Sequence, residues 1–283
     1  MQINSVVCIK QVPDTTQVRI DPDSGSLIRQ GIPSVINPYD LYALEAALKV
    51  RDSHGGTITA LSMGPPQADE ALRKVLGYGV DRAVLLSDRA FAGADTLATT
   101  YTLSAAIRKI AGELIATGAA GVDMVFCGKQ SIDGDTGQVG PGLARRLDLS
   151  QVTYVCSLLE VAAETRTVRA WRQREDGREL LEARLPVAVT ITEACNPIRY
   201  AALPDLLWAA KAPVEVWSAA DLEVEPDRLG LKGSPTRVSK VFAPPARERG
   251  ETLSGPDRPP TEIAAALFDK LAERGLVIGG SRG

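Results

Sequence analysis

The sequence predicts an α/β protein, a doubly wound parallel sheet with an antiparallel extension and a C-terminal arm. Three observations carry this. Over about the first 150 residues, strands that are apolar throughout alternate with amphipathic helices, the pattern of a parallel sheet covered on both faces. From about Gln151, strands follow one another through short turns without helices, as in an antiparallel meander that extends the same core. From about Pro213 the chain turns rich in proline and charge, a composition that buries little of its own surface. Residues 1–212 are therefore expected to form the α/β domain and 213–283 an extended arm ending in a helix.

In order along the chain, "NSVVCIK" reads as a buried strand, a short β-branched run between polar residues. "VRIDPDSGSLIRQG" reads as a hairpin around a Pro-Asp-Ser-Gly turn. "NPYDLYALEAALKVRDSHGG" carries an Asn37 cap, Pro38 at the first helical position, Asp40 in the first turn and a Gly-Gly stop, which together define a helix. Then come strand "TITALSM", helix "QADEALRKVLGYG", strand "RAVLLS", a helix from Asp95 to about Thr117, strand "DMVFCG", a loop, and a helix through "PGLARRLDL". "GYGVDR" nears the dinucleotide fingerprint but follows a helix instead of a strand, so it reads as a helix C-cap turn. "QVTYVCSLLEVA", "TRTVRAWRQ", "RELLEARL" and "PVAVTIT" are the later strands, and "LPDLLWAAK" and "TEIAAALFDKLAERG" the last helices.

Composition narrows the function. The 283 residues are 45% hydrophobic and carry a net charge of -3, with Lys and Arg scattered, so no nucleic-acid or anionic-membrane partner is expected. "MQINSVVCIKQVPD" lacks the apolar core of a signal peptide and no apolar run reaches bilayer length, so a cytoplasmic protein without membrane insertion is expected. Cys8, Cys127, Cys156 and Cys195 lie far apart with no C-x-x-C, and read as buried thiols, not as zinc ligands or disulfides. The single histidine, His54, sits in a polar turn as a solvated or C-capping residue, which leaves no base for a nucleophile system. No catalytic acid, base or metal ligand is assigned.

The stretch "GKQSIDGDTGQVG" is the candidate binding loop. It joins a parallel strand to a helix, where ligands of open α/β sheets sit. Gly128, Lys129, Gln130, Ser131, Ile132, Asp133, Gly134, Asp135, Thr136, Gly137, Gln138 and Val139 offer one positive charge, so a phosphate would be held by main-chain N–H groups and the helix N-terminus. Asp133 and Asp135 would orient the loop or meet ribose and base donors, because carboxylates on phosphate repel it. An ordinary βα turn remains the alternative, since Gly and Asp favour turns on steric grounds alone. The absence of G-x-x-x-x-G-K-[ST] and of S-G-G-x-D speaks against P-loop phosphoryl transfer and against an adenylating pyrophosphatase.

"VVCIKQVPD", "INPYD", "SMGPPQADEALR", "GVDRAVLLSDRAFAGADT", "GKQSIDGDTGQVG", "NPIRYAALP" and "LGLKGSPT" together resemble the β subunit of electron transfer flavoprotein over almost the whole chain. The resemblance implies an adenine nucleotide α-hydrolase-like fold and a heterodimer with an α subunit that carries a redox-active FAD. It implies a nucleotide site lined by Cys8, the segment Asn37, Pro38, Tyr39 and Asp40, Met63 and the loop from Gly128 to Val139. It also implies that residues 213–283 pack on the α subunit. Cys195, Asn196, Pro197, Ile198, Arg199 and Tyr200 fall where the family has its recognition loop for partner dehydrogenases, with Cys195 where many members carry leucine.

Two family branches fill the β site differently, one with structural AMP and one with a second FAD. "SDRAFAGADT", "DGDT" and "LGLKGSPT" are similar to the electron-bifurcating branch, in which that FAD meets NADH. The resemblance thus adds Phe91, Ala92, Gly93, Ala94, Asp95 and Thr96 to the FAD site, the small residues leaving room for a ring and Thr96 a donor for its edge. Implied partners are the α subunit, an acyl-CoA dehydrogenase-type flavoenzyme, and ferredoxin or flavodoxin.

Overall fold

The computed structural model describes residues 2–14, 19–20, 27–28, 33–237, 250–253 and 258–276. The chain divides into Met1–Val241 and Phe242–Gly283. In the first unit, β1 (Ser5–Cys8) leads into β2 (Gln11–Pro13), β3 (Arg19–Ile20), β4 (Leu27–Ile28) and β5 (Ser34–Ile36). The expected hairpin is the antiparallel β3–β4 pair, and its turn lies outside the described residues. The winding continues through α1 (Pro38–His54), β6 (Ile58–Met63), α2 (Asp69–Leu76), β7 (Arg82–Leu86), α3 (Thr96–Ala116), β8 (Met124–Gly128) and α4 (Val139–Leu147). Next follow β9 (Ser150–Ala162), β10 (Thr167–Gln173), β11 (Arg178–Arg184), β12 (Val187–Ile191), α5 (Leu203–Ala209) and β13 (Glu215–Trp217). The second unit holds α6 (Pro260–Glu273), with Pro260 in its first turn.

The strands form one sheet in the order β11-β10-β9-β12-β8-β1-β6-β7-β13. From β12 to β13 all neighbours are parallel. Side-chain alternation explains why these strands read as unbroken apolar runs. On β1, Val7 enters the core beneath α1 and α2, while Val6 and Cys8 enter the opposite core beneath α3 and α4. On β8, Met124 and Phe126 take the first side and Val125 and Cys127 the second. Each face is thus a complete hydrophobic layer.

The meander expected after Gln151 holds for β9, β10 and β11, which pair antiparallel. β12 departs from it and lies parallel between β9 and β8. All five β12 residues are buried, which suits a central strand, whereas β11 alternates exposed and half-buried residues, which suits an edge. The 13-residue β9 serves both halves, parallel to β12 at its start and antiparallel to β10 further on. Tyr154, at φ +55°, lies where the β9–β12 register shifts. "GYGVDR" does close α2: the Gly77 amide donates to Arg73 O and Gly79 adopts φ +93°.

At the far edge, β13 is held by Arg82 of β7. Its Nε and Nη2 donate to the two carboxylate oxygens of Glu215, each at 2.7 Å, and its Nη1 donates to Glu113 of α3 at 2.7 Å. The bidentate fork fixes both distance and plane. Trp217 completes the clamp, with Lys109 Nζ 4.1 Å and Arg82 5.5 Å from its ring centre. Arg82→Met is expected to cost about 2 kcal/mol in denaturant unfolding and to speed amide exchange selectively in β13.

Candidate nucleotide site at the switch point of the sheet

From β1 the chain winds one way to β6 and β7 and later returns on the other side to β8 and β12. The crevice beyond Cys8 and Gly128 is therefore the topological switch point of the sheet. The start of α1 fits into it. A Cβ on Gly128 would stand 2.5 Å from Asp40 Oδ1 and 2.7 Å from the Tyr39 main chain, so glycine there lets the helix approach. The Asp40 side chain, 6% exposed, accepts from the Lys10 amide at 2.8 Å, Asn37 Nδ2 at 2.9 Å and the Gly128 amide at 3.2 Å. Burial pushes this carboxyl up to about 7, against the opposing pull of those three donors and of the Lys10 charge.

Asn37 is at the N-cap position of α1 but makes no side-chain cap. Besides Asp40, its amide donates to Gln130 O at 2.9 Å and its Oδ1 accepts from the Ile132 amide at 3.2 Å. The residue is spent on holding the binding loop. Lys10 Nζ reaches both Asp133 oxygens at 2.7 and 2.8 Å, and Gln130 Nε2 donates to Asp135 at 2.8 Å. The two aspartates therefore orient the loop through partners within the chain. Lys129 lies 4.5 Å from the Tyr39 ring centre and pairs with Glu193 at 3.1 Å. Ser131 O accepts from the Asp135 amide at 2.9 Å, and Asp135 and Gly137 turn through φ +51° and +61°.

These contacts leave the start of α4 open. Gln138, its N-cap residue, makes no side-chain cap, and its Oε1 accepts from Thr96 Oγ1 at 2.8 Å. Among the described residues, the amides of Thr136, Gly137 and Gln138 find no main-chain acceptor. A run of free N–H groups at a helix N-terminus over the switch point suits a phosphate group, so the loop fits a nucleotide. Gly140 plays another part: its Cβ would stand 2.3 Å from Thr190 Cγ2, so it seats α4 against β12.

The remaining predicted residues divide clearly. Cys8 is buried beside Cys127, and this thiol neighbour together with burial holds the Cys127 thiol well above its ordinary value. Met63 ends β6, half-buried. Phe91 is 5% exposed within the core, whereas Ala92 and Gly93 are exposed. Asp95 caps α3, its Oδ1 accepting from the Leu97 and Ala98 amides, and its Oδ2 accepts from the amide and hydroxyl of Thr236. Ser234 Oγ accepts from the Asp95 amide at 2.8 Å, and the Leu231 amide donates to Ala92 O at 3.0 Å.

"LGLKGSPT" thus straps the 91–96 loop in place. Lys10, Leu231, Ser234 and Thr236 belong to the site's support and were missed, because nothing in one chain's spacing signals partners so far apart.

The 195–200 segment lies on α1, away from this crevice. Asn196 Nδ2 donates to Tyr42 O at 3.3 Å, and Arg199 pairs with the buried Glu45 at 2.8 Å and with Asp52 at 2.7 Å. Tyr200 stands 98% exposed beside exposed Leu203 and Leu207 of α5. All four cysteines are free; Cys195, expected to be buried, is half-buried and packs against the core edge. Among the described residues, no group of His, Cys, Asp or Glu fits a metal ion, and no helix is long and apolar enough to cross a membrane.

The doubly wound, mostly parallel sheet defines an α/β protein, with open helix-terminal amides at the switch point where such folds take their ligands. Residues 24–222 match the electron transfer flavoprotein domain. Protein FixA of Bradyrhizobium diazoefficiens is 53% identical over 94% of this chain and 91% of its own length. The electron transfer flavoprotein subunit beta of Clostridium acetobutylicum is 47% identical over 96% and 98% of the two chains. The caffeyl-CoA reductase-Etf complex subunit CarD of Acetobacterium woodii is 44% identical over 96% and 99%. The chain belongs to the electron transfer flavoprotein family, as a β-type subunit that serves electron transfer with an α-subunit partner. The family binds flavin or AMP.

Asp40 gives the site a pH signature. Its folded pKa of about 7 lies above the ordinary 3.8, so between those values the native state holds a proton that the unfolded chain has lost. Its contribution to stability is full below about pH 4 and is lost as pH rises through 7. Asp40→Asn is expected to flatten this part of the stability profile measured by denaturant unfolding; an unchanged slope would remove Asp40 as its source.

Proposed function

We propose that this chain holds FAD at the switch-point site, takes hydride from NADH, and sends the two electrons apart, or joins them in the reverse direction. One passes to ferredoxin or flavodoxin. The other passes through the FAD of the α subunit to an acyl-CoA dehydrogenase-type flavoenzyme. The observation that carries the reading is the 2.8 Å bond from Thr96 to Gln138, which joins the 91–96 loop to the phosphate loop. The candidate site then runs along the ends of β8, β1, β6 and β7, an extent that suits a dinucleotide better than a mononucleotide.

In this reading FAD, when bound, supplies the chemistry that accepts hydride and releases single electrons. The protein binds and orients. Open amides of Thr136 to Val139 hold the pyrophosphate, Asn37 and Lys10 fix the loop, and exposed Ala92 and Gly93 admit a flat ring. Residues 213–283 include surface for the α subunit, and the 195–200 segment, with Tyr200 exposed, meets the dehydrogenase. The name of the Acetobacterium relative, which places it in a caffeyl-CoA reductase complex, agrees with an acyl-CoA-type partner. A cytoplasmic setting follows from such partners.

The second reading keeps AMP in the same phosphate loop as a structural ligand, with only the α-subunit FAD moving electrons. It is favoured by the loop alone, which needs no ring beside it. Denaturing the purified αβ complex and quantifying released nucleotides separates the two. Two FAD and no AMP per heterodimer are expected; one FAD and one AMP would overturn the bifurcating role.

A further inference from the structure

A cavity of about 360 Å³ opens beside α3, outside the 91–96 and 128–139 loops. Its lining includes Arg146 of α4, Arg228, Lys232 and a single carboxylate, Asp227. Tyr101 of α3 organises it. The Arg146 and Arg228 guanidinium carbons lie 5.4 and 4.0 Å from its ring centre, and its hydroxyl accepts from the Glu225 amide at 2.9 Å. The ring is therefore fixed, and two guanidinium groups are held beside it.

The charges are incompletely neutralised. Among the described residues, Arg146 donates only to neutral acceptors, Thr100 Oγ1 at 3.0 Å and Leu97 O at 3.1 Å, and makes no salt bridge. Burial and the nearby Arg228 and Arg108 charges hold its pKa below the ordinary value. Arg228 pairs with exposed Glu225 at 3.3 Å, and Lys232 with exposed Asp227 at 3.5 Å. Such exposed pairs are weak and leave donors free to turn inward. Like charges gathered in a concave, partly desolvated space are stabilised by a bound anion, and fork-shaped donors match phosphate oxygens.

We propose that this cavity is a second anion site, which takes the phosphate or pyrophosphate group of a diffusible phosphorylated ligand through Arg146, Arg228 and Lys232. It does not depend on which nucleotide occupies the switch-point site. Its source could otherwise be the resident cofactor, so the test uses the αβ complex with its nucleotides bound. Inorganic pyrophosphate is titrated by calorimetry, and the filtrate is assayed for released flavin and AMP.

Saturable binding without release of nucleotide is expected. Arg146→Gln should weaken it about tenfold and the exposed Lys232→Gln about threefold, whereas Asp227→Asn should tighten it. Lys232→Gln and Asp227→Asn touch no packed group, so they report even if Arg146→Gln unfolds the cavity. No saturable binding, equal affinity in Lys232→Gln and Asp227→Asn, or displacement of the resident nucleotide would each overturn the proposal.

Discussion

The site depends on one buried carboxylate. Asp40 gathers the amide after β1, the amide at the end of β8 and the side chain before α1 onto two oxygens. Those three chain segments meet only at the switch point, so their common acceptor fixes the width of the crevice. The cost is desolvation, which burial registers in the raised pKa. A residue that read as an ordinary first-turn acid thus has a structural task that no dipole argument requires. Asn37 extends the same network outward to Gln130 and Ile132.

A second constraint lies across the crevice. Asp95 uses one oxygen to cap α3 and the other to hold Thr236, so helix start and strap share a single side chain. Gly230, at φ +49°, lies so close that a Cβ would stand 2.3 Å from Ala90 O. The strap and the 91–96 loop are therefore one packed unit, and the bond from Thr96 to Gln138 joins that unit to the phosphate loop. Sequence segments separated by more than a hundred residues converge on one site.

Much of this was legible in the residues themselves. Apolar strands alternating with helices specified the doubly wound core because both faces of the sheet are covered, and Asp95 announced its helix cap correctly. The glycines of the loop were read too uniformly. Gly128 and Gly140 serve close packing against Asp40, Tyr39 and Thr190, while the turn itself falls to Asp135 and Gly137. Positive charge at the loop was also underestimated, because Lys10 arrives from 123 positions away. β12 misled for a related reason: its place beside β8 is set by tertiary burial, which local turn signals do not encode.

For a β-type subunit of this family, electron transfer places the demand on binding geometry. At the start of α4 the main chain presents amides with no main-chain acceptor among the described residues, and the Gln138 side chain is turned to Thr96. The most direct measurement is hydrogen exchange on the αβ complex, loaded with nucleotide and stripped of it. Loading should protect the amides of Thr136 to Gly140 selectively, with little change in the core strands. Nucleotide binding that leaves those amides unprotected would contradict a main-chain phosphate site at this loop.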